Sequence, residues 1–188
     1  MPKSFDPAHR NKLDSPERRK LLPPESVLDF GDLEPGQTFL DVGAGIGYFA
    51  LPALERVGET GMVIAADHSR EMLLELEVRA GGRRKNLRLL ESAIPGLDLP
   101  GGLADRILMA FVLHEVEDRQ GCLKELREIL RSDGALILAE WKKESMEMGP
   151  PLADRLDPEE LRSLGREAGF RLIRQQEINP FHYMAVLI

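Results

Sequence analysis

Cysteine is almost missing from this chain of 188 residues: Cys122 stands alone, so neither an internal disulfide nor a thiolate-built metal site is available. Long apolar runs are missing as well, and no stretch approaches the roughly 18 residues that a membrane span needs. Residues 1–20 are polar throughout, without the apolar core of a secretory leader. These absences predict a cytoplasmic protein with no membrane partner. Basic charge is not in excess either. The net charge of −7 speaks against nucleic acid as a partner, although it divides unevenly, +3 over residues 1–24 and −10 over the rest. The phosphate-cradling Gly-Lys-Ser/Thr occurs nowhere in the chain. No repeat or low-complexity tract interrupts it, and its length suits a single domain.

What is present centres on Phe39–Ala50, which reads FLDVGAGIGYFA. Thr38–Val42 is a short apolar run of the kind that forms a fully buried strand. Gly43-Ala44-Gly45-Ile46-Gly47 then turns the chain into Tyr48–Leu51, which can continue as a helix. Strand, glycine turn and helix in that order build a nucleotide crevice. Bare backbone lets a ligand approach, and the helix aims free N–H groups at it. Asp41 adds an anion at the strand's carboxyl end. The spacing is G-x-G-x-G, with Tyr48 where a dinucleotide fingerprint would carry its third glycine. An acid before the glycines also suits a cation better than a pyrophosphate.

Residues 1–24 read as an irregular basic arm, with a helical turn around Pro16–Lys20, that can fold over a pocket; residues 25–188 read as the main domain. There, Glu25–Phe30 is a short helix and Met62–Ala66 a strand ending at Asp67. Ser69 caps a helix over Arg70–Ala80 whose apolar face is Met72, Leu73, Leu76 and Ala80. Leu87–Leu90 is a third strand, Ser92–Gly102 a loop, and Arg106–Leu113 a central strand covered on both faces. Leu123, Leu126 and Leu130 mark a helix closed by Asp133-Gly134, and Ala135–Ala139 the next strand. After an irregular Glu144–Leu156, Asp157-Pro158-Glu159-Glu160 starts a helix. Phe170–Ile178 and Phe181–Ile188 are strands joined by Asn179-Pro180, a turn short enough to make them antiparallel. Alternation of strands and helices predicts a three-layer α/β fold on a mostly parallel, seven-stranded sheet with an antiparallel C-terminal strand.

Ligands of such sheets bind at the carboxyl ends of the strands. Asp67 lies about 20 residues past the last glycine, the place from which a carboxylate receives the hydroxyls of a ribose. Ser92 and Ala93 end the third strand, where a base would lie. His114 leaves the fourth strand and has the ordinary pKa of a general base. It belongs to no zinc motif, since Asp118 replaces the second histidine of H-E-x-x-H, and no metal is expected. Trp141 leaves the fifth strand, where its face can hold a cation or a substrate, and Lys142 and Lys143 suit an acidic one. His182 and Tyr183, in the last strand, are further substrate candidates.

Asp41-Val42-Gly43-Ala44-Gly45-Ile46-Gly47 resembles the first motif of the Rossmann-fold S-adenosylmethionine-dependent methyltransferases. With VIAADHS, FVLHEVED and LKELREILRSDGALILAEW, the chain from Glu34 onward is similar to the ubiquinone/menaquinone-biosynthesis type of that family. The resemblance implies a Rossmann-like fold and S-adenosylmethionine lying across Asp41–Gly47 with its ribose on Asp67. It implies in-line methyl transfer to a small-molecule substrate, with S-adenosylhomocysteine as product. The cofactor-binding set is then Asp41, Gly43, Ala44, Gly45, Gly47, Asp67, His68, Ser92, Ala93 and Phe111. His114 is the candidate catalytic residue, and Trp141, His182 and Tyr183 face the substrate. The family's usual Asp-Ala at the adenine is Ser92-Ala93 here. The Asp/Asn-Pro-Pro-Tyr of enzymes that methylate nucleic-acid bases is absent, and one cysteine is too few for arsenite methylation. Two other classes stay open: a nicotinamide-dependent oxidoreductase, disfavoured by Asp41 and Tyr48, and a non-catalytic module that binds the cofactor.

Overall fold

Apolar runs bounded by turn residues become the strands of one sheet. In the computed structural model, which describes residues 14–81 and 85–188, they are β1 (Thr38–Val42), β2 (Met62–Asp67), β3 (Leu87–Glu91), β4 (Ala104–Ala110), β5 (Leu130–Trp141), β6 (Leu172–Glu177) and β7 (His182–Leu187). Among the described residues these seven pair in the order β3-β2-β1-β4-β5-β7-β6. Pairs among β1 to β5 are parallel, and β7 runs antiparallel to both β5 and β6. The final hairpin therefore makes the sheet's edge, with β7 inside and β6 outermost. The helices are α1 (Pro16–Leu21), α2 (Pro24–Phe30), α3 (Ala50–Val57), α4 (Arg70–Ala80), α5 (Arg119–Ile129) and α6 (Pro158–Glu167). Residues 1–13 of the expected arm lie outside the described residues, and the expected turn around Pro16–Lys20 is α1, capped by the Ser15 hydroxyl.

Alternating side chains along the buried strands feed two apolar layers. Leu40, Val42, Ile64, Ile107 and Met109 pack on one face with Cys122, Leu123 and Leu126 of α5 and Leu161 of α6. Phe39, Val63, Ala65 and Leu108 pack on the other with Val27 and Leu28 of α2 and Ala53 and Leu54 of α3. Cys122 is core, and burial pushes its thiol up to about 12. Asp157 and Glu160 close a reciprocal capping box at the start of α6.

Three boundaries differ from the sequence reading. Strand β4 stops at Ala110 and not at Leu113, because Phe111 takes a φ of 60° and Leu113–Glu115 coil into a 3-10 turn. Leu130 opens β5 and does not end a helix: it pairs with Ala104 ahead of a bulge and buries its side chain. Asp133-Gly134 consequently lies within β5. Tyr48 and Phe49 sit in the turn before α3.

The glycine turn is fixed from two sides. The N–H groups of Gly43 and Ala44 both donate to the Ala66 carbonyl, at 2.8 and 3.0 Å, which folds the turn over the end of β2. Gly47 has a φ of 88°, and a Cβ there would stand 2.8 Å from Leu76 Cγ of α4 and 3.0 Å from Leu51 Cγ of α3. Gly47→Ala is expected to cost about 2–4 kcal/mol, the sum of a left-handed alanine and an overpacked helix junction. Gly58→Ala, with a φ of 68° and nothing within 4 Å of the added Cβ, should cost only the backbone share, about 1–2 kcal/mol. Urea unfolding of the two variants checks this; equal losses would mean that the Leu76 contact does not constrain the turn.

Candidate active site

The carboxyl ends of the parallel strands open on a cavity of about 1160 Å³. Gly43, Ala44, Gly45 and Ile46 line it from the turn after β1; Asp67, His68, Ser69 and Met72 line it from the end of β2 and the start of α4. Phe111, Val112, His114 and Glu115 follow β4, and Trp141 and His182 come from β5 and β7. Arg18, Leu21 and Leu22 at the end of the arm, with Met148–Pro151 of the irregular stretch, complete the wall.

Asp67 is 6% exposed, and both its oxygens are engaged by main chain. Oδ2 accepts from the Gly45 N–H and Oδ1 from the Ser69 N–H, each at 2.8 Å. The Ser69 hydroxyl is left to cap α4, accepting from Met72 at 3.3 Å. Asp41 is 1% exposed, stands behind the turn and does not reach the cavity wall. Its Oδ2 has no hydrogen-bond partner among the described residues. Burial, then the neighbouring charge of Asp67, pushes the Asp41 carboxyl up to about 7, against the Ala50 N–H and Arg18. Gly47 also stands off the wall, packed under α4. At Gly43, whose φ is 76°, any side chain would collide with Val112; bare backbone is required there for the two segments to meet.

His114 is buried, and its Nδ1 lies 2.8 Å from Oε2 of Glu140. Glu140, 1% exposed, also accepts from the His114 main-chain N–H at 3.2 Å. Arg119 holds the Leu113 and His114 carbonyls at 3.3 and 3.1 Å, which fixes the 3-10 turn that carries the imidazole. A carboxylate on Nδ1 makes that nitrogen the donor and leaves Nε2 to take a proton. Burial pulls the imidazole pKa down, but the hydrogen bond and charge of Glu140, with Glu115, outweigh it and raise it above the ordinary value. Burial also raises Glu115, whose Oε1 is 3.9 Å from His114 Nε2.

The other end of the cavity is aromatic. His182 packs edge-on against Trp141 and Phe111, with ring centroids at 4.2 and 4.7 Å. The Arg18 guanidinium lies 4.3 Å from the Tyr48 ring centroid and 6.0 Å from that of Phe111. The Tyr48 hydroxyl donates to the Leu22 carbonyl at 2.7 Å, and Asp14 pairs with Arg79 of α4 at 2.7 Å, so the arm is fastened at several points.

Besides Asp41 and Gly47, three further expected site residues are not brought to the cavity. Tyr183 neighbours His182 on β7 but points to the opposite sheet face, where it is 2% exposed and its hydroxyl donates to the Leu156 carbonyl at 3.0 Å; strand alternation separates the pair. Ser92 spends its hydroxyl inside its own loop, 2.5 Å from the Gly96 carbonyl, and Ala93 is exposed off the wall. Ile94 is the residue of that loop on the wall. Conversely, sequence reasoning missed Arg18 and Glu140. A lone acid inside the apolar run Ala135–Trp141 was the available signal for Glu140, because a buried carboxylate needs a partner.

Comparison with known proteins agrees with this geometry. The Methyltransferase domain family matches residues 40–138, more than half of the chain. The ubiquinone/menaquinone biosynthesis C-methyltransferase UbiE of Vibrio cholerae is 30% identical over 123 residues, 64% of this chain and 47% of that protein. UbiE of Escherichia coli O1:K1 is 29% identical over 133 residues, 70% of this chain and 52% of that protein. The chain thus spans about half the length of the curated relatives it matches. A SAM dependent methyltransferase from Aquifex aeolicus superposes with a TM-score of 0.90 at 33% identity, covering 98% of both chains. A putative type 11 methyltransferase from Sulfolobus solfataricus gives 0.71 at 25% identity, over 88% of this chain and 90% of that one. The chain belongs to the methyltransferase-domain family, among the class I S-adenosylmethionine-dependent methyltransferases, and is similar to UbiE over about half of that protein's length. The cofactor of that class is S-adenosylmethionine, and none of these relatives is named as a nicotinamide enzyme. Among the described residues no cluster of three or more potential metal ligands occurs, and no helix is long and apolar enough to cross a membrane.

The electrostatics behind the turn give a pH prediction. Folded Asp41 keeps its proton to about pH 7, whereas its ordinary value is 3.8. Between those values the unfolded chain binds fewer protons, so this group lowers stability as pH rises through the window. Asp41→Asn removes that dependence, and its stability relative to wild type should climb from pH 4 to pH 7. Urea titrations across this range measure it, and a pH-independent difference contradicts the assignment.

Proposed function

We propose that the protein transfers the methyl group of S-adenosylmethionine to a small-molecule acceptor. The cofactor occupies the glycine-turn half of the cavity and the acceptor the half bounded by His114, Trp141 and His182. The observation that carries this reading is Asp67, a buried carboxylate on the cavity wall anchored beside bare main chain. The residues present suit the cofactor. Gly43–Gly45 offer main chain with little side-chain bulk, and each Asp67 oxygen keeps a lone pair for a ribose hydroxyl. Glu115 and the rings of Phe111 and Trp141 on the cavity wall favour a positively charged sulfonium. His68 flanks Asp67, and Ile94 takes the place foreseen for Ser92 and Ala93. Bound there, the cofactor supplies an electrophilic methyl group.

The chain's own contribution is alignment and proton removal. His114, held through Nδ1 by Glu140, accepts the proton that the acceptor loses as it is methylated. Only the neutral ring can do so, so the rate rises with pH through the raised pKa of His114. Residues 15–22 cover the pocket, with Arg18, Leu21 and Leu22 on its wall. The UbiE relatives are named for C-methylation in ubiquinone and menaquinone biosynthesis, and the Phe111–Trp141 wall suits a ring-bearing acceptor of that general kind. The net charge of −7 supports an acceptor other than nucleic acid.

Methyl-labelled S-adenosylmethionine, offered with a panel of small aromatic acceptors, tests the reading, with three variants locating it. Asp67→Ala should weaken S-adenosylhomocysteine binding about 100-fold or more, the worth of two charge-assisted hydrogen bonds. His114→Ala should leave that binding within about twofold and reduce turnover by roughly 10²–10⁴. Glu140→Gln should move the rising limb of the pH–rate profile to lower pH, since the carboxylate that does most to raise the imidazole is gone. Wild-type binding by Asp67→Ala would sink the ribose assignment, and unchanged turnover in His114→Ala the general base.

A further inference from the structure

His182 carries a polar atom that the fold leaves unspent. The residue is 8% exposed and lines the cavity, yet its Nε2 has no hydrogen-bond partner among the described residues. Its Nδ1 lies 3.1 Å from Asn179 Nδ2. The orientation of that amide is fixed independently. Asn179 Oδ1 accepts from the main-chain N–H groups of Phe181 and His182 at 2.9 and 3.0 Å, and Nδ2 donates to the Leu21 carbonyl at 2.8 Å. The amide cannot turn over without facing its NH₂ to two donors and its oxygen to a carbonyl. His182 Nδ1 is therefore an acceptor, and the ring proton sits on Nε2.

Nothing moves that proton near neutral pH. Burial, then the positive charges of Arg18 and Arg155, lower the His182 pKa to about 4, which keeps the ring neutral. Nε2–H is thus a permanent donor in a buried aromatic setting, and a buried donor without a partner is costly unless something arrives to accept from it. Phe111 and Trp141 stand edge-on around the ring and close Nε2 off, so a partner reaches it as these apolar rings part.

The geometry points to His182 as the residue that selects the methyl acceptor, donating from Nε2–H to an unprotonated oxygen, carbonyl or oxyanion, on a planar molecule held against Phe111 and Trp141. This rests on the methyltransferase reading and extends it to the acceptor. Asn179 is a positioning residue: it sets the tautomer and, through Leu21, ties it to the arm that covers the pocket.

The test uses wild-type protein saturated with S-adenosylhomocysteine and three probes: acetophenone with a neutral carbonyl, benzoate with a carboxylate, and α-methylstyrene with the shape of acetophenone but no oxygen. Two-bond proton–nitrogen NMR should show His182 protonated at Nε2 and bare at Nδ1 from pH 6 to 8. Acetophenone or benzoate should displace the Nε2–H resonance and bind about tenfold more tightly than α-methylstyrene, the worth of one hydrogen bond. The tighter of the two tells a neutral from an anionic acceptor. His182→Phe keeps a ring of similar shape and should abolish the preference. Equal binding of acetophenone, benzoate and α-methylstyrene, an unmoved resonance, the opposite tautomer, or no probe binding beside bound S-adenosylhomocysteine overturns the inference and leaves the methyltransferase reading standing. A protein that binds no S-adenosylhomocysteine overturns both.

Discussion

Asp67 spends one oxygen on the glycine turn and the other on the entry to α4, and the cavity depends on that double attachment. Charge-assisted hydrogen bonds to a carboxylate are roughly twice as strong as neutral ones. Here two of them bind segments 22 residues apart in sequence into one rigid rim. The turn has its own hold on β2 through the Ala66 carbonyl, and Asp67 joins it to the next strand–helix connection. Behind the turn, Asp41 keeps its proton to near neutral pH partly because Asp67 is already charged. Two carboxyls at the ends of neighbouring strands are thereby kept from repelling each other, and it is Asp67 that faces the cavity.

The opposite side of the cavity is organised by two histidines with reversed hydrogen-bond chemistry. Glu140 accepts from Nδ1 of His114, which leaves Nε2 bare and basic. Asn179 donates to Nδ1 of His182, which leaves Nε2 protonated. The same side chain presents a bare nitrogen in one place and a protonated one in the other, and neighbours outside the cavity lining decide which. Burial acts on both rings in the same direction; the carboxylate beside His114 and the cations around His182 separate them.

The features legible in the sequence were local ones. The glycine turn, the strand before it, Ser69 at its helix and the capping box at Asp157 each declare themselves within a few residues, because backbone freedom and capping act over one turn of chain. Features set by distant partners were not legible. The strand β4 ends early because Phe111 turns into the left-handed region, and Leu130 leaves its helix to pair with Ala104. Ser92 satisfies its hydroxyl within its own loop. Tyr183 and His182 look equivalent in the sequence, although alternation puts them on opposite faces. Glu140 lies 26 residues from His114 and Asn179 158 residues from Leu21, so their roles emerge only when the sheet is assembled. The hairpin after α6 is legible in Asn179-Pro180, whereas its insertion with β7 beside β5 depends on which strand edge remains open.

Calorimetric titration of the purified protein with S-adenosylmethionine, S-adenosylhomocysteine and NADH goes most directly to whether the turn and Asp67 form a methyl-donor site. Saturable binding of the first two, with no heat from NADH, is the predicted result. Binding of NADH alone, or of none of the three, contradicts it.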